Sequence, residues 1–157
     1  MNASTKNFGE ICIEDEKIIT FGNGIIGFPD LKHFALIYNN EKGDSSAIKW
    51  LQSMEEPNFA MPVLDPLIIS TEYNPVVDDE ILKPIGEFAT DELLVLTTVT
   101  VPKNIEQLSV NLKAPIVINA RTRQAVQLIV DGDEYPVKYF IYELLKKRKA
   151  EKAGGEQ

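Results

Sequence analysis

Histidine and cysteine are almost missing from this chain: His33 and Cys12 are the only ones in 157 residues. One cysteine cannot close an intramolecular disulfide. A single histidine rules out a His/Cys zinc cluster and leaves any Ser-His-Asp or Cys-His relay without a second histidine in reserve. His33 follows a Pro-Asp turn and reads as a surface or strand-edge residue; Cys12, in GEICIED, reads as a small buried hydrophobe on a strand. No apolar run approaches the ~20 residues of a membrane-spanning helix, and the opening MNASTKNFGE lacks the basic-then-apolar layout of a secretory signal. These absences lead us to expect a protein of the reducing cytoplasm. G-x-G-x-x-G and P-loop patterns are absent too, so nucleotide chemistry has no foothold. The acidic groups Asp78, Asp79, Glu80 and Asp131, Asp133, Glu134 lack the spacing of a calcium loop and read as a helix start and a turn.

Positive charge is also scarce. Lys and Arg number 16 against 24 Asp and Glu, a net charge of −8. The segment from Lys146 holds five basic and two acidic residues, which leaves −11 on residues 1–145. A body so charged repels phosphate backbones, because nucleic-acid affinity rests on cations that displace counterions. Basic proteins are the partners that such a surface steers in.

What is present is strand pattern. With 44 % hydrophobic and 25 % charged residues the chain is composed like an ordinary globular domain, and a chain of this length buries roughly 70 % of its unfolded surface. In ELLVLTTVTV, Leu93, Val95, Thr97, Val99 and Val101 share one face and Leu94, Leu96, Thr98 and Thr100 the other. LSVNLKA places Leu108, Val110, Leu112 and Ala114 inward, with Ser109, Asn111 and Lys113 outward. IVINARTRQAVQLIV reads as a hairpin around Arg121 to Gln124, with Val126, Leu128 and Val130 on a common face. Asn23-Gly24, between two apolar runs, predicts a type I′ hairpin or tight turn. HFALIY and AIKWLQ read as strands around a polar loop, Asn39 to Ser46.

Helix signals are short. DDEILKP offers one or two turns before Pro84. The end of the chain fits a strand or a helix, and we expect a strand to about Tyr142 followed by a frayed or helical basic tail. Many short strands with closely spaced turns predict an all-β sandwich or small barrel. The expected division is one β domain over 1–145 and a flexible basic tail over 146–157.

The stretch LQSMEEPNFAMPVLDP, Leu51 to Pro66, concentrates the candidate chemistry. Glu55 and Asp65 are the carboxylates available to an enzyme acting on a carbohydrate-like substrate, which requires a pair ~5 to 9.5 Å apart. Turn and surface roles are the simpler account of both. Without a catalytic constellation the chain reads first as an acidic protein-binding module, with an enzyme as the second reading.

LQSMEEPNFAMPVLDP, together with NLKAPIVIN followed by R-x-x-Q-x-V-Q-L-I and the earlier GIIGFPDL, resembles the bacterial flagellar assembly factor family FliW, from about Phe8 to Tyr142. The resemblance implies a small antiparallel β-barrel-like domain with one or two short helices, no cofactor and no catalysis. It further implies two protein partners: flagellin, and the RNA-binding translational repressor CsrA, which the factor antagonises until free flagellin takes it away. On this reading Trp50, Leu51 and Val63 or Leu64 are core, and Pro57, Pro62 and Pro66 shape strand edges. Phe59, Met61 and Val63 are exposed anchors, Met61 standing where the family pattern leads us to expect an aromatic. Glu55, Glu56 and Asp65 become charges facing a basic partner, with Asn111 and Lys113 added as contact residues.

Overall fold

The computed structural model describes every residue except 1, 7, 38–47, 71, 76–78, 131, 133 and 148–157. Strands dominate it: β1 (Asn2–Thr5), β2 (Gly9–Cys12), β3 (Ile19–Phe21), β4 (His33–Ile37), β5 (Ile48–Ser53), β6 (Ala60–Leu64), β7 (Leu93–Thr100), β8 (Ser109–Val110), β9 (Ile116–Asn119), β10 (Gln124–Gln127) and β11 (Tyr139–Phe140). The α-helices among the described residues are α1 (Asp79–Leu82) and α2, over 142–147. The polar loop expected between the strands of HFALIY and AIKWLQ lies outside the described residues.

Seven strands close into a ring in the order β7, β6, β5, β4, β3, β10, β9, with β9 returning to β7 through Leu93↔Asn119 to Leu96↔Ile116. The pattern allows a sandwich or a small barrel and the resemblance implies a barrel; a barrel is present, with one refinement to its antiparallel character. Strand directions cannot alternate all the way round an odd-numbered ring, and the parallel joint falls at β3 and β10, Thr20 beside Gln124 and Phe21 beside Ala125. β8 pairs with the far end of β7 and β11 with β8, so these two branch outside the ring. β1 and β2 form a separate hairpin, tied to the barrel by the Lys6 N–H donating to the Pro57 carbonyl (3.0 Å) and by Phe8 edge-on to Trp50.

Period-2 alternation fills the ring. Ile19, Phe21, Phe34, Leu51, Val63, Leu96, Ile116, Ile118 and Ala125 form one interior cluster, each full-size aliphatic or aromatic contributing about 1.5–3 kcal/mol by leaving water. The alternate residues of β7 and β9 are covered as well. Val99 packs with Leu64, Leu108, Val110, Leu112 and Ile141, and Val117 with Ile85, Leu128 and Val130. Burial on both faces explains why LLVL and IVI read as continuous apolar runs.

Several local expectations need correction. Asn23-Gly24 lies in a tight turn closed by the Gly24 N–H on the Phe21 carbonyl (2.9 Å). It is not type I′, since among the described residues the only non-glycine with positive φ is Arg123. Two-residue hairpin geometry falls instead at Ile26-Gly27, where Ile25 and Phe28 bridge and Gly27 takes φ +88°. Ser109 is buried rather than outward, because β8 lies between β7 and β11. Leu112 and Ala114 are buried as expected, but the strand stops at Val110, where Asn111 Oδ1 accepts from the N–H groups of Lys113 and Ala114 and turns the chain. Trp50 is only half-buried, and Cys12 is exposed, because β2 pairs with β1 alone. The last strand ends at Phe140 and helix begins at 142, taking in Lys146 and Lys147; the remainder of the basic segment lies outside the described residues.

Tyr73 caps the outer layer, donating its hydroxyl to the Leu112 carbonyl (2.6 Å) with its ring edge-on to Tyr135. Burial, with Tyr135 adding to it, pushes the Tyr73 hydroxyl from the usual 10 up to about 12. An unfolded chain ionises this group first, so its stabilising contribution is complete below pH 10 and is lost as pH rises from 10 to about 12. Tyr73→Phe is expected to abolish that alkaline loss and to cost about 1–3 kcal/mol at neutral pH by stripping the Leu112 carbonyl of its donor. Urea unfolding at pH 7 and pH 11 measures both effects.

Candidate functional site

The β5–β6 turn and the β3–β4 connection meet at one end of the barrel, because β3, β4 and β5 are antiparallel neighbours there. Two of the three motifs singled out in the sequence are thereby joined. Phe59, closing the first loop, stacks edge-on with Phe28 from the second at 4.8 Å and with Phe34 below at 6.2 Å. Between the loops opens a cleft of about 350 Å³ walled by Phe28, Pro29, Leu31 and Phe59, with Asp30 and Glu56 adding carboxylates.

Polar side chains build the first loop from below. Gln52, fully buried, donates through Nε2 to the carbonyls of Ser53 (2.9 Å) and Phe59 (3.0 Å). Ser53 Oγ accepts from the N–H groups of Glu55 (3.1 Å) and Glu56 (3.0 Å). Glu55 Oε1 then accepts from the N–H groups of Lys32 (2.9 Å) and His33 (2.6 Å) and lies 3.4 Å from His33 Nδ1. That carboxylate staples one loop to the start of β4. Glu56 Oε1 accepts from the Asn58 N–H (3.2 Å). Asp65 Oδ1 accepts from the Leu67 N–H (2.9 Å) and caps a single 3-10 turn, Pro66–Ile68.

These positions separate the proposed enzyme pair. Glu55 precedes β6 and Asp65 follows it, so the five residues of that strand stand between them, ~16 Å at 3.3 Å per residue. A hydrolytic pair needs ~5 to 9.5 Å. No group of three or more His, Cys, Asp or Glu among the described residues is placed to hold a metal ion.

The apolar candidates divide as well. Val63 is fully buried, as is Leu64, so Val63 belongs to the core and is not an exposed anchor. Met61 is half-buried against the barrel interior, a place that accounts for an apolar residue there without a partner. Phe59 is half-buried in the cleft wall. Asn111 and Lys113 lie beyond β7, the Asn111 N–H on the Thr98 carbonyl (3.0 Å) and Lys113 Nζ on the Gly132 carbonyl. They are not brought to the cleft. Sequence reading missed Ile26 and Phe28, which remain 49 % and 48 % exposed. Their signal was available: large apolar residues flanking the glycine of a tight turn cannot both turn inward.

This architecture is that of a closed seven-stranded β-barrel with branched outer strands. Among the described residues, no helix is long and apolar enough to cross a membrane. The FliW protein family model matches residues 2–141. The chain is 46 % identical over 148 residues to the flagellar assembly factor FliW of Lachnospira eligens, covering 94 % of this chain and 98 % of that one. It is 40 % identical to the flagellar assembly factor FliW of Lachnoclostridium phytofermentans over 99 % of both chains. A crystal structure of the flagellar assembly factor FliW superposes with a TM-score of 0.81 at 27 % identity, over 90 % of this chain and 96 % of that one. The chain belongs to the FliW family of flagellar assembly factors, a name that implies a non-enzymatic role.

Glu55→Ala is expected to destabilise the fold by about 1 kcal/mol, removing the acceptor of two solvent-accessible N–H groups, while Glu55→Gln, which keeps one oxygen, loses less. Gly24→Ala should cost about 2 kcal/mol or more, since φ is +69° and an added Cβ falls 2.6 Å from Pro29 Cα. Thermal and urea denaturation of the three variants checks the ranking.

Proposed function

We propose that this chain is a cytoplasmic, non-catalytic regulator that binds flagellin and antagonises the translational repressor CsrA by protein contact. Free flagellin occupies it and leaves CsrA to repress; exported flagellin releases it to CsrA, so that flagellin synthesis follows demand. The observation that supports this reading best is the cleft on an anionic barrel where exposed Phe28 and half-buried Phe59 stand beside the carboxylates of Asp30 and Glu56. Aromatics in such a setting are the usual anchors of a protein interface, and truncating one costs 2 kcal/mol or more.

Charge bears on the CsrA half of the switch. An RNA-binding protein presents cations to phosphate, and a barrel carrying −11 over residues 1–145 attracts those cations while repelling RNA itself. Antagonism then needs no shared contact site, because an anionic protein docked beside the RNA surface lowers the affinity of incoming phosphates. For flagellin, whose terminal segments are amphipathic helices, a helix laid against the cleft is the natural mode.

Purified chain should retain both flagellin and CsrA in a pull-down, with CsrA affinity falling at least tenfold between 50 and 500 mM salt. Phe28→Ser is expected to weaken at least one partner by tenfold or more with little change in melting temperature. Recovery of neither partner, or CsrA binding indifferent to salt, overturns the reading.

A further inference from the structure

We infer that the branch formed by β7, β8, β11 and α2 is a second docking face, built for an amphipathic helical segment that carries carboxylates. This goes beyond the cleft and does not rest on it. Five large apolar side chains stand exposed there: Val101, Ile105, Val137, Phe140 and Leu144, at 55, 47, 62, 56 and 38 %. Hydrogen bonds bring the segments that carry them together. The Leu108 N–H donates to the Ile105 carbonyl (3.0 Å), and the Leu108 carbonyl accepts from the Ile141 N–H (2.9 Å). Thr100, which precedes Val101, is opposite Ser109, and Ser109 is opposite Phe140.

The charge of this region reverses that of the molecule. Residues 100–110 and 136–147 hold four cations, Lys103, Lys138, Lys146 and Lys147, against Glu106 and Glu143, a net +2 that leaves −10 on the rest of a chain whose total is −8. Lys138, Lys146 and Lys147 are exposed beside the apolar residues, and Lys103 lies between Val101 and Ile105 in the chain. Apolar surface bordered by cations is complementary to an apolar helix face bordered by carboxylates.

An anionic membrane is the other surface of that chemistry, and the geometry disfavours it. An interfacial helix needs a long free apolar face, whereas the described part of α2 spans six residues, with Tyr142 and Leu145 packed into the barrel's outer layer. Strand addition is disfavoured too, because β11 is two residues long. What remains free is a shelf of side chains, suited to a helix laid across it.

The full chain is titrated with a labelled 18-residue Leu/Glu amphipathic helix, with its Leu/Lys counterpart and with anionic vesicles, and binding is mapped by amide shifts. The Leu/Glu helix should bind, shifting amides of 100–110 and 137–147, while the Leu/Lys helix does not shift them. Lys138→Glu combined with Lys146→Glu and Lys147→Glu should weaken the Leu/Glu helix at least tenfold at unchanged melting temperature, as should Phe140→Ser. Absence of binding, shifts centred on the cleft at Phe28, equal binding of both helices, or vesicles alone engaging this face would each overturn the inference.

Discussion

The odd number of strands in the ring is the constraint from which the remaining architecture follows. One joint must be parallel, and a parallel joint cannot be made by a tight turn. Here it unites β3 with β10, strands separated by about a hundred residues of chain, so the ring closes only after every intervening element is in place. Closure also requires β9 to return to β7, where it takes the first half of that strand. The second half is left for β8, and β11 follows β8 out of the ring. Asn119 holds this joint: fully buried at the end of β9, it donates to the carbonyls of Ile85 and Glu87 and accepts from the N–H groups of Arg121 and Thr122. A side chain with both donors and an acceptor is needed there, which gives the last residue of NLKAPIVIN a structural purpose independent of any partner.

Where a strand obeys simple alternation, the sequence announces it. Ile19, Phe21, Phe34, Leu51, Val63, Ile116 and Ile118 enter the barrel as the period-2 pattern requires, and the hairpin from β9 to β10 turns within the segment that its polar residues mark. Long-range neighbours are what no local pattern contains. Ser109 reads as outward until β11 is laid beside it, and Cys12 reads as buried until β2 is seen to pair only with β1. Trp50 is apolar enough for any core, yet its ring faces outward against Phe8. The parallel joint belongs to the same class, since direction round a ring depends on a count of strands and on no single residue.

The candidate site was legible in a similar measure. The sequence located the loop of Glu55, Glu56 and Phe59 and the turn before Phe28, but their meeting depends on β3, β4 and β5 being neighbours. Nor could spacing reveal what the carboxylates hold. Glu55, Glu56 and Asp65 each accept backbone N–H groups. Their oxygens are thus committed at short range, whereas a net anionic surface acts at long range by steering.

Exposed apolar side chains on an edge strand are ordinarily a hazard, because a free strand edge pairs with whatever chain arrives. The branch beyond β7 escapes that hazard by its brevity. β11 offers two residues, preceded by Pro136 and the cation Lys138 and followed at once by α2, so too few backbone groups are presented in line to recruit a strand. Side chains are kept in the open while main-chain pairing is cut short. A surface of that kind gives little purchase to extended chains.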